Sequence, residues 1–385
     1  MLNNPTGARA AVKLPRTVYI VICVFPAVLT ALFYALRHSA GVMSWYSAKV
    51  AAPVRGALGL LTSVYPFSLM EILCTVAVIW LIYYIVKTIM VTARRREKLK
   101  IFSKRLLTIV VAALYIWSLY CWLWGCGYFA AGFGEKNGFL SDGVAASDLA
   151  AVTMLFAKKA NEFAPLVKRD AEGHCIEDRR DFFPASTGIY DSAFESFPSL
   201  SGRLYRPKPM IFSWLMSRTG YTGIYFALTG ESNINTKAPV FLMPATVAHE
   251  LAHQRGVFAE DEANFVGIAA CVTSGDPVYE YAGWLMGLMY LSGALSGADR
   301  EAWIDVVTGL SDTVNMDWQD NHDFWQSQKT YDTGVEILDK VLTATTETVS
   351  DAVDTVYDSY LKSHDQELGI KSYGACVDLL VQYFS

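Results

Sequence analysis

PATVAHELAHQRGVFAEDEANFVGIAACV, residues 244–272, is the stretch whose reading decides the fold. It contains His249-Glu250-Leu251-Ala252-His253, and Ala248, Leu251 and Ala252 give the run an apolar helical side. On a helix, positions i and i+4 share a face, so both imidazoles point at one ion, while Glu250 faces that ion's bound water as a general base. Gly256 follows Arg255 as a C-terminal stop. A catalytic zinc takes three protein ligands and keeps one position open. The pattern HExxHxxGxxH fails at its last place, where Ala259 stands, and Glu260-Asp261-Glu262-Ala263-Asn264 follows. Acids in a first helical turn are ordinary favourable charges, but their place seven residues after the histidines singles them out. Glu260 is the expected third ligand and Glu262, about 200° around the helix from it, the alternative. Asn264, one turn on from Glu260, is placed to hold a ligand by hydrogen bonding.

Outward from this stretch, composition excludes a wholly cytosolic enzyme. The chain has 385 residues, 53% hydrophobic and only 18% charged, with mean hydropathy +0.26; soluble domains carry about 25% charge. Three runs are apolar for about the 20 residues a bilayer crossing needs: 17–36, 67–90 and 106–127. Tyr and Trp gather toward their ends, among them Trp45, Tyr65, Trp122, Trp124 and Tyr128, as an interfacial belt. The net charge of −5 hides a division. Residues 1–105 hold 14 Lys and Arg against two acids, and the rest hold 18 against 35. Between the second and third runs lie Arg94, Arg95, Arg96, Lys98, Lys100, Lys104 and Arg105 with only Glu97 opposing them. The positive-inside rule makes that loop and the N-terminus cytoplasmic and everything after residue 128 extracytoplasmic. The expected organisation is a membrane anchor, 1–128, and a body, 129–385, in the cytoplasmic membrane of a bacterium. The cations belong beside the spans, so no nucleic-acid partner is expected; the bilayer is one.

In the body, 147–167 reads as a helix capped by Ser147, 204–210 as a turn or extended connector, and 222–235 as a strand followed by a turn. The stretch 282–296 is too short and Gly-rich for a fourth span and reads as a buried helix. Val335, Leu338, Leu342, Val349, Val353, Val356 and Tyr360 form one stripe of a long amphipathic helix over 333–362. The seven cysteines have no CxxC spacing; a pair among Cys175, Cys271 and Cys376 is open.

HELAHQRG…EDEANF, with TGIYFALTGESNIN (222–235) before it and YLKSHDQELGIKSYG (360–374) after it, resembles the bacterial membrane-protein family called domain of unknown function 3810. Its members look like membrane-tethered zincins. The Glu260-x-x-Ala263-Asn264 pattern is similar to the gluzincin helix whose leading Glu is the third zinc ligand, although gluzincins have a longer connection than Arg255–Ala259. The resemblance implies a mainly α chain, with three transmembrane helices before an α+β zincin-like domain. It also implies a small sheet beside the HExxH helix, whose strand near Gly223–Leu228 (Gly223, Tyr225, Ala227) would pair with an extended peptide. The expected function is a zinc metallopeptidase, one Zn2+ per chain, acting on peptide or protein outside the membrane. The alternative is a non-catalytic sensor or scaffold with a structural zinc. An oxyanion donor is needed; Tyr281 and His322 are candidates, against their plainer readings as a core aromatic and a surface imidazole. His38, His174 and His364 have no motif. An intramembrane protease is opposed by Arg255, Glu260, Asp261 and Glu262 around the histidines.

Overall fold

The computed structural model describes residues 15–94, 96–139, 143–330 and 373–385, with scattered positions between 339 and 355. The apolar stripe expected over 333–362 and His364 lie outside the described residues. Helices dominate, and among the described residues there is one three-stranded sheet.

Among the described residues three helices are long and apolar enough to cross a membrane: α1 (Arg16–Leu36), then α4 (Leu69–Arg94) and α5 (Lys98–Leu123). Between α1 and α4 the chain makes α2 (Ala40–Tyr46), a π-helical turn and α3 (Ala52–Thr62). The expected limits of the third run shift. Its helix begins at Lys98, because Lys98, Lys100, Lys104 and Arg105 have stems long enough to carry their charge off an apolar helix without ending it. It stops at Leu123, and Gly125–Phe129 form a buried 3₁₀ turn. Trp122 donates to the Leu29 carbonyl (3.0 Å), locking α5 to α1.

The body runs α6 (Phe133–Asn137), α7 (Ala146–Phe163), α8 (Arg179–Phe182), α9 (Asp191–Ser196), β1 (Lys208–Pro209), α10 (Ser213–Arg218), β2 (Gly223–Phe226) and β3 (Glu231–Ile234). Then come α11 (Met243–Gln254), α12 (Glu260–Val272), α13 (Pro277–Ala298), α14 (Arg300–Thr308), α15 (Asp312–Gln328) and a C-terminal helix (Tyr373–Phe384). Phe156 of α7, Leu251 of α11, Phe265 of α12 and Leu285, Leu288 and Leu291 of α13 are fully buried together. Each such side chain contributes about 1.5–3 kcal/mol by leaving water. The 282–296 stretch is thus the buried spine of α13. Ser147 is not a cap: α7 starts one residue before it, Ala145 takes the cap position, and the Ser147 hydroxyl turns to Asp148.

The sheet order is β1-β3-β2, with β3 parallel to β1 and antiparallel to β2 (Gly223 opposite Ile234, Phe226 opposite Glu231). Where a strand and a turn were expected, 222–235 is a complete hairpin, because the turn occupies only Ala227–Gly230 and leaves room for β3. Pro209 is tolerated because β1 lies at the sheet edge. All seven cysteines are free.

The expected boundary at residue 128 does not divide the packing. The Ala131 N–H donates to Ser44 (2.9 Å), Tyr205 to the Gly56 carbonyl (2.9 Å) and Thr62 to the Thr229 carbonyl (3.1 Å). Two buried carboxylates complete the joint. Glu231 of β3 accepts the N–H groups of Leu69 (3.1 Å) and Met70 (2.9 Å), capping α4, and also pairs with buried Lys208. Glu71 of α4 accepts those of Ile211 (2.9 Å) and Phe212 (2.8 Å). First-turn N–H groups have no partner within their own helix, and the helix dipole favours an anion there. Glu71, close to the start of the second apolar run, is 4% exposed and consumed by the body.

Breaking a buried pair leaves one charge uncompensated, at about 3–5 kcal/mol. Glu231→Ala should lower the stability of the detergent-solubilised chain by that amount in denaturant unfolding. Adding Lys208→Met should recover part of the loss.

Candidate metal centre

α11 carries the two histidines and α12 the acid, and their crossing decides whether the three meet. At the crossing stands Gly267. A Cβ there would lie 2.8 Å from the His249 nitrogen and 3.0 Å from its Cα, so only glycine lets α12 lie against the α11 backbone at that point. Gly256, at φ +80°, ends α11 as expected: its N–H donates to the His253 carbonyl (3.0 Å) and that of Val257 to the Ala252 carbonyl (3.1 Å). The turn returns the Val257 carbonyl to His253, whose Nδ1–H donates to it at 2.7 Å. That bond fixes the tautomer and leaves Nε2 for a ligand role.

The result is a cluster. His249, His253 and Glu260 each offer one donor atom, all within 4.8 Å of one another, and form the one such His/Cys/Asp/Glu group found among the described residues. Glu260 Oε2 is 3.2 Å from His249 Nε2 and 3.6 Å from His253 Nε2. Donors about 2.0–2.1 Å from a tetrahedral ion stand about 3.3 Å apart, and the two Glu260–histidine separations lie close to that spacing. Electrostatics agree. Burial alone would lower His253, but Glu260 and Glu250 outweigh it and push its imidazole up to about 9. For Glu260 burial is likewise overcome, here by His253 and His249, which hold the carboxyl well below its ordinary range. A divalent cation replaces the proton such a pair shares.

Glu250 is 4% exposed and lines the same cleft, and its Oε2 has no hydrogen-bond partner among the described residues. Burial pushes its carboxyl up to about 7, against the pull of His249 and His253. The edge strand β2 passes directly over it: a Cβ on Gly223 would lie 2.5 Å from Glu250 Oε1. α11 is held on both sides. Tyr190 donates to the Ala248 carbonyl (2.6 Å) and Ser232 to that of Glu250 (2.9 Å). The Gln254 amide exchanges two bonds with the Tyr205 backbone, both 2.9 Å.

The structure separates the candidate acids. Glu262 accepts the N–H groups of Phe133 and Gly134, both at 2.8 Å, and so ties α6 to α12, away from the imidazoles. Asn264 lines the cleft. Gly223 and Tyr225 lie in β2, whereas Ala227 falls in the turn beyond it, because the hairpin reverses two residues earlier than a strand through 228 requires. Tyr281 is not an oxyanion donor here: its hydroxyl donates to fully buried Asp317, which Arg169 grips with two further bonds of 2.7 and 3.0 Å. Its position on α13 turns it into this brace and not toward the cleft. His322 is exposed on α15, His38 is exposed, and His174 pairs with Asp320 (2.7 Å).

Two aromatics read as interfacial belt belong to the site. Trp124 meets the His253 ring edge-on at 5.5 Å and packs on Phe258 at 4.6 Å. Tyr128 takes the Trp124 indole N–H (3.3 Å) and lies near enough to Glu260 that, after burial, that charge helps to raise its phenol. Both follow a long apolar run, where nothing local distinguishes them from interface anchors.

The fold and site define a mainly helical protein with three apolar helices, a small sheet and a His-His-Glu cluster. The chain belongs to the family described as protein of unknown function DUF3810, whose model matches residues 46–381. No curated protein and no solved structure matches it.

Glu262→Ala orphans two backbone N–H groups at the start of α6, at about 1–3 kcal/mol. A matching loss in denaturant unfolding is the expected outcome, with α6 amides exchanging faster.

Proposed function

We propose that the chain is a membrane-tethered, zincin-type zinc metallopeptidase, hydrolysing peptide bonds on the extracytoplasmic side. The observation that carries this reading is the buried, unpartnered Glu250 carboxylate facing the same cleft as three clustered donors. A structural zinc takes four protein ligands and needs no base beside it, so the non-catalytic alternative is the weaker account of this arrangement.

His249, His253 and Glu260 would hold the ion, with His253 oriented by Val257. Zinc, when bound, lowers the pKa of its water from 15.7 to about 7 and polarises a carbonyl. Glu250 accepts the proton of the attacking water and returns it to the leaving amine, a role its burial suits. The β2 edge offers backbone groups to an extended peptide, which brings the scissile carbonyl over Glu250 at Gly223. Tyr128, which lines the same cleft and whose phenol feels the Glu260 charge, is the donor proposed for the developing oxyanion in place of Tyr281.

The topology supports the side assigned. The body joins α4 at its N-terminal end and α5 at its C-terminal end, opposite the cations from Arg94 to Arg105. With those cations cytoplasmic, the site is outside. Alkaline phosphatase fused after Ser385 should be active, and fused after Glu97 inactive; the reverse result refutes the orientation.

Metal analysis and peptide-library hydrolysis by the full chain test the chemistry. Glu250→Gln should retain stoichiometric zinc and lose about 10²–10⁴-fold in rate. Glu260→Ala should lose zinc, while Glu262→Ala keeps it. A Glu250→Gln protein as active as wild type rules out the proposed base.

A further inference from the structure

The cleft holding the cluster does not end at the body. It is one cavity of about 1870 Å³, and it continues between α4 and α5. Past Glu71 its walls are Cys74, Val78 and Ile79 of α4, faced by Ala113, Ile116 and Trp117 of α5. From Glu71 to Ile79 is about 12 Å along the helix, and from Leu123 to Ala113 about 15 Å. That is about one leaflet of a hydrocarbon core about 30 Å thick. The two helices meet at the far end. There Tyr84 donates to the Arg105 carbonyl (3.3 Å) and Arg105 to the Thr88 hydroxyl (3.4 Å), and the space between them opens toward the body.

A second feature sets the level of the membrane surface. Glu71 pins the backbone of Ile211 and Phe212 to the start of α4. Around that point Ile211 (74% exposed), Phe212, Trp214 and Leu215 project together, four exposed apolar side chains within five positions of the chain. Beside an apolar helix, an exposed cluster of this kind dips into the interface. Phe212, Trp214 and Leu215 also line the cleft. The donors, the β2 edge and the groove are therefore continuous from above the interface into the outer leaflet.

We infer that the substrate is a membrane-anchored polypeptide, cut next to its apolar segment, which lies in the groove between α4 and α5. The inference rests on the peptidase reading of the site. A chain lying along β2 as an extended strand would run on from Gly223 into the apolar part of the cavity without leaving protein. A water-soluble peptide would leave Val78, Ile79 and Ile116 with lipid alone. The groove faces the bilayer sideways, so the anchor enters by lateral diffusion and the scissile bond stays at the aqueous cluster.

The test uses full-length protein in phosphatidylethanolamine–phosphatidylglycerol vesicles. The probes are randomised octapeptides joined to a 20-residue Leu/Ala helix, the same octapeptides free, and the same joined to a palmitoyl chain. Helix-anchored peptides should be cleaved within a few residues of the helix. Ile79→Trp and Ile116→Trp, which fill the groove from lipid-facing positions, should slow that cleavage at least tenfold, with zinc content and thermal midpoint unchanged. In Glu250→Gln protein, a photoreactive diazirine on the helix should crosslink to α4 and α5, a readout that needs no turnover. Cleavage of anchored peptides by the Trp variants at the wild-type rate, equal kcat/KM for free and anchored peptides, or cleavage of palmitoyl peptides alone overturns the inference while leaving the peptidase reading standing. Zinc-loaded protein that cleaves none of the three overturns both.

Discussion

Everything at the centre depends on how closely two helices cross. Glu260 opens α12 and the histidines lie in the last two turns of α11, so the donors converge only if the backbones nearly touch. Gly267 permits that contact against His249 itself. Any side chain there separates the helices at the residue whose ring must face Glu260. The short Arg255–Ala259 connection is the second half of the constraint, because it brings the chain into α12 within one tight turn. That turn also supplies the carbonyl that orients His253.

The buried acids show how the same chemical group is put to opposite uses. Glu71, Glu231 and Glu262 each accept two backbone N–H groups from a distant segment, and each joins an element of the body to another part of the chain. Their cost of burial is offset by those bonds and by the positive ends of helices. Glu250 has a carboxyl as buried as those of Glu71 and Glu231, with one oxygen unsatisfied. A polar atom kept in that condition is expensive to bury, and no hydrogen bond among the described residues repays the cost.

What could be read from the sequence was local. The i, i+4 spacing of His249 and His253, the stop at Gly256 and the apolar runs behind the three long helices are written into neighbouring residues, and the structure forms each of these elements, the third helix starting eight residues before its apolar run. Glu260 and Glu262 were separable only in part, because helix geometry gives the angle between them but not which side meets α11. The role of Glu262 depends on α6, about 130 residues away, and that of Tyr281 on Asp317 and Arg169, so neither had a sequence signal. Ser147 misled because a good capping residue two positions past the cap looks the same in the sequence as one in place. Between the first two apolar runs, α2 and α3 are braced on the β2–β3 turn, on Tyr205 and on Ala131 through contacts that no periodicity records.

The crossed Glu71 and Glu231 contacts also bear on what a protease cut near residue 128 would release. A fragment beginning there would carry Lys208 and Glu231 without the Thr62 carbonyl and α4 amides that satisfy them. It would also leave the 211–212 backbone without its acceptor and strip Trp124 from the His253 ring. Shedding would therefore strip packing and hydrogen bonds from around the His-His-Glu cluster, whose surroundings are completed by the segment before the cut.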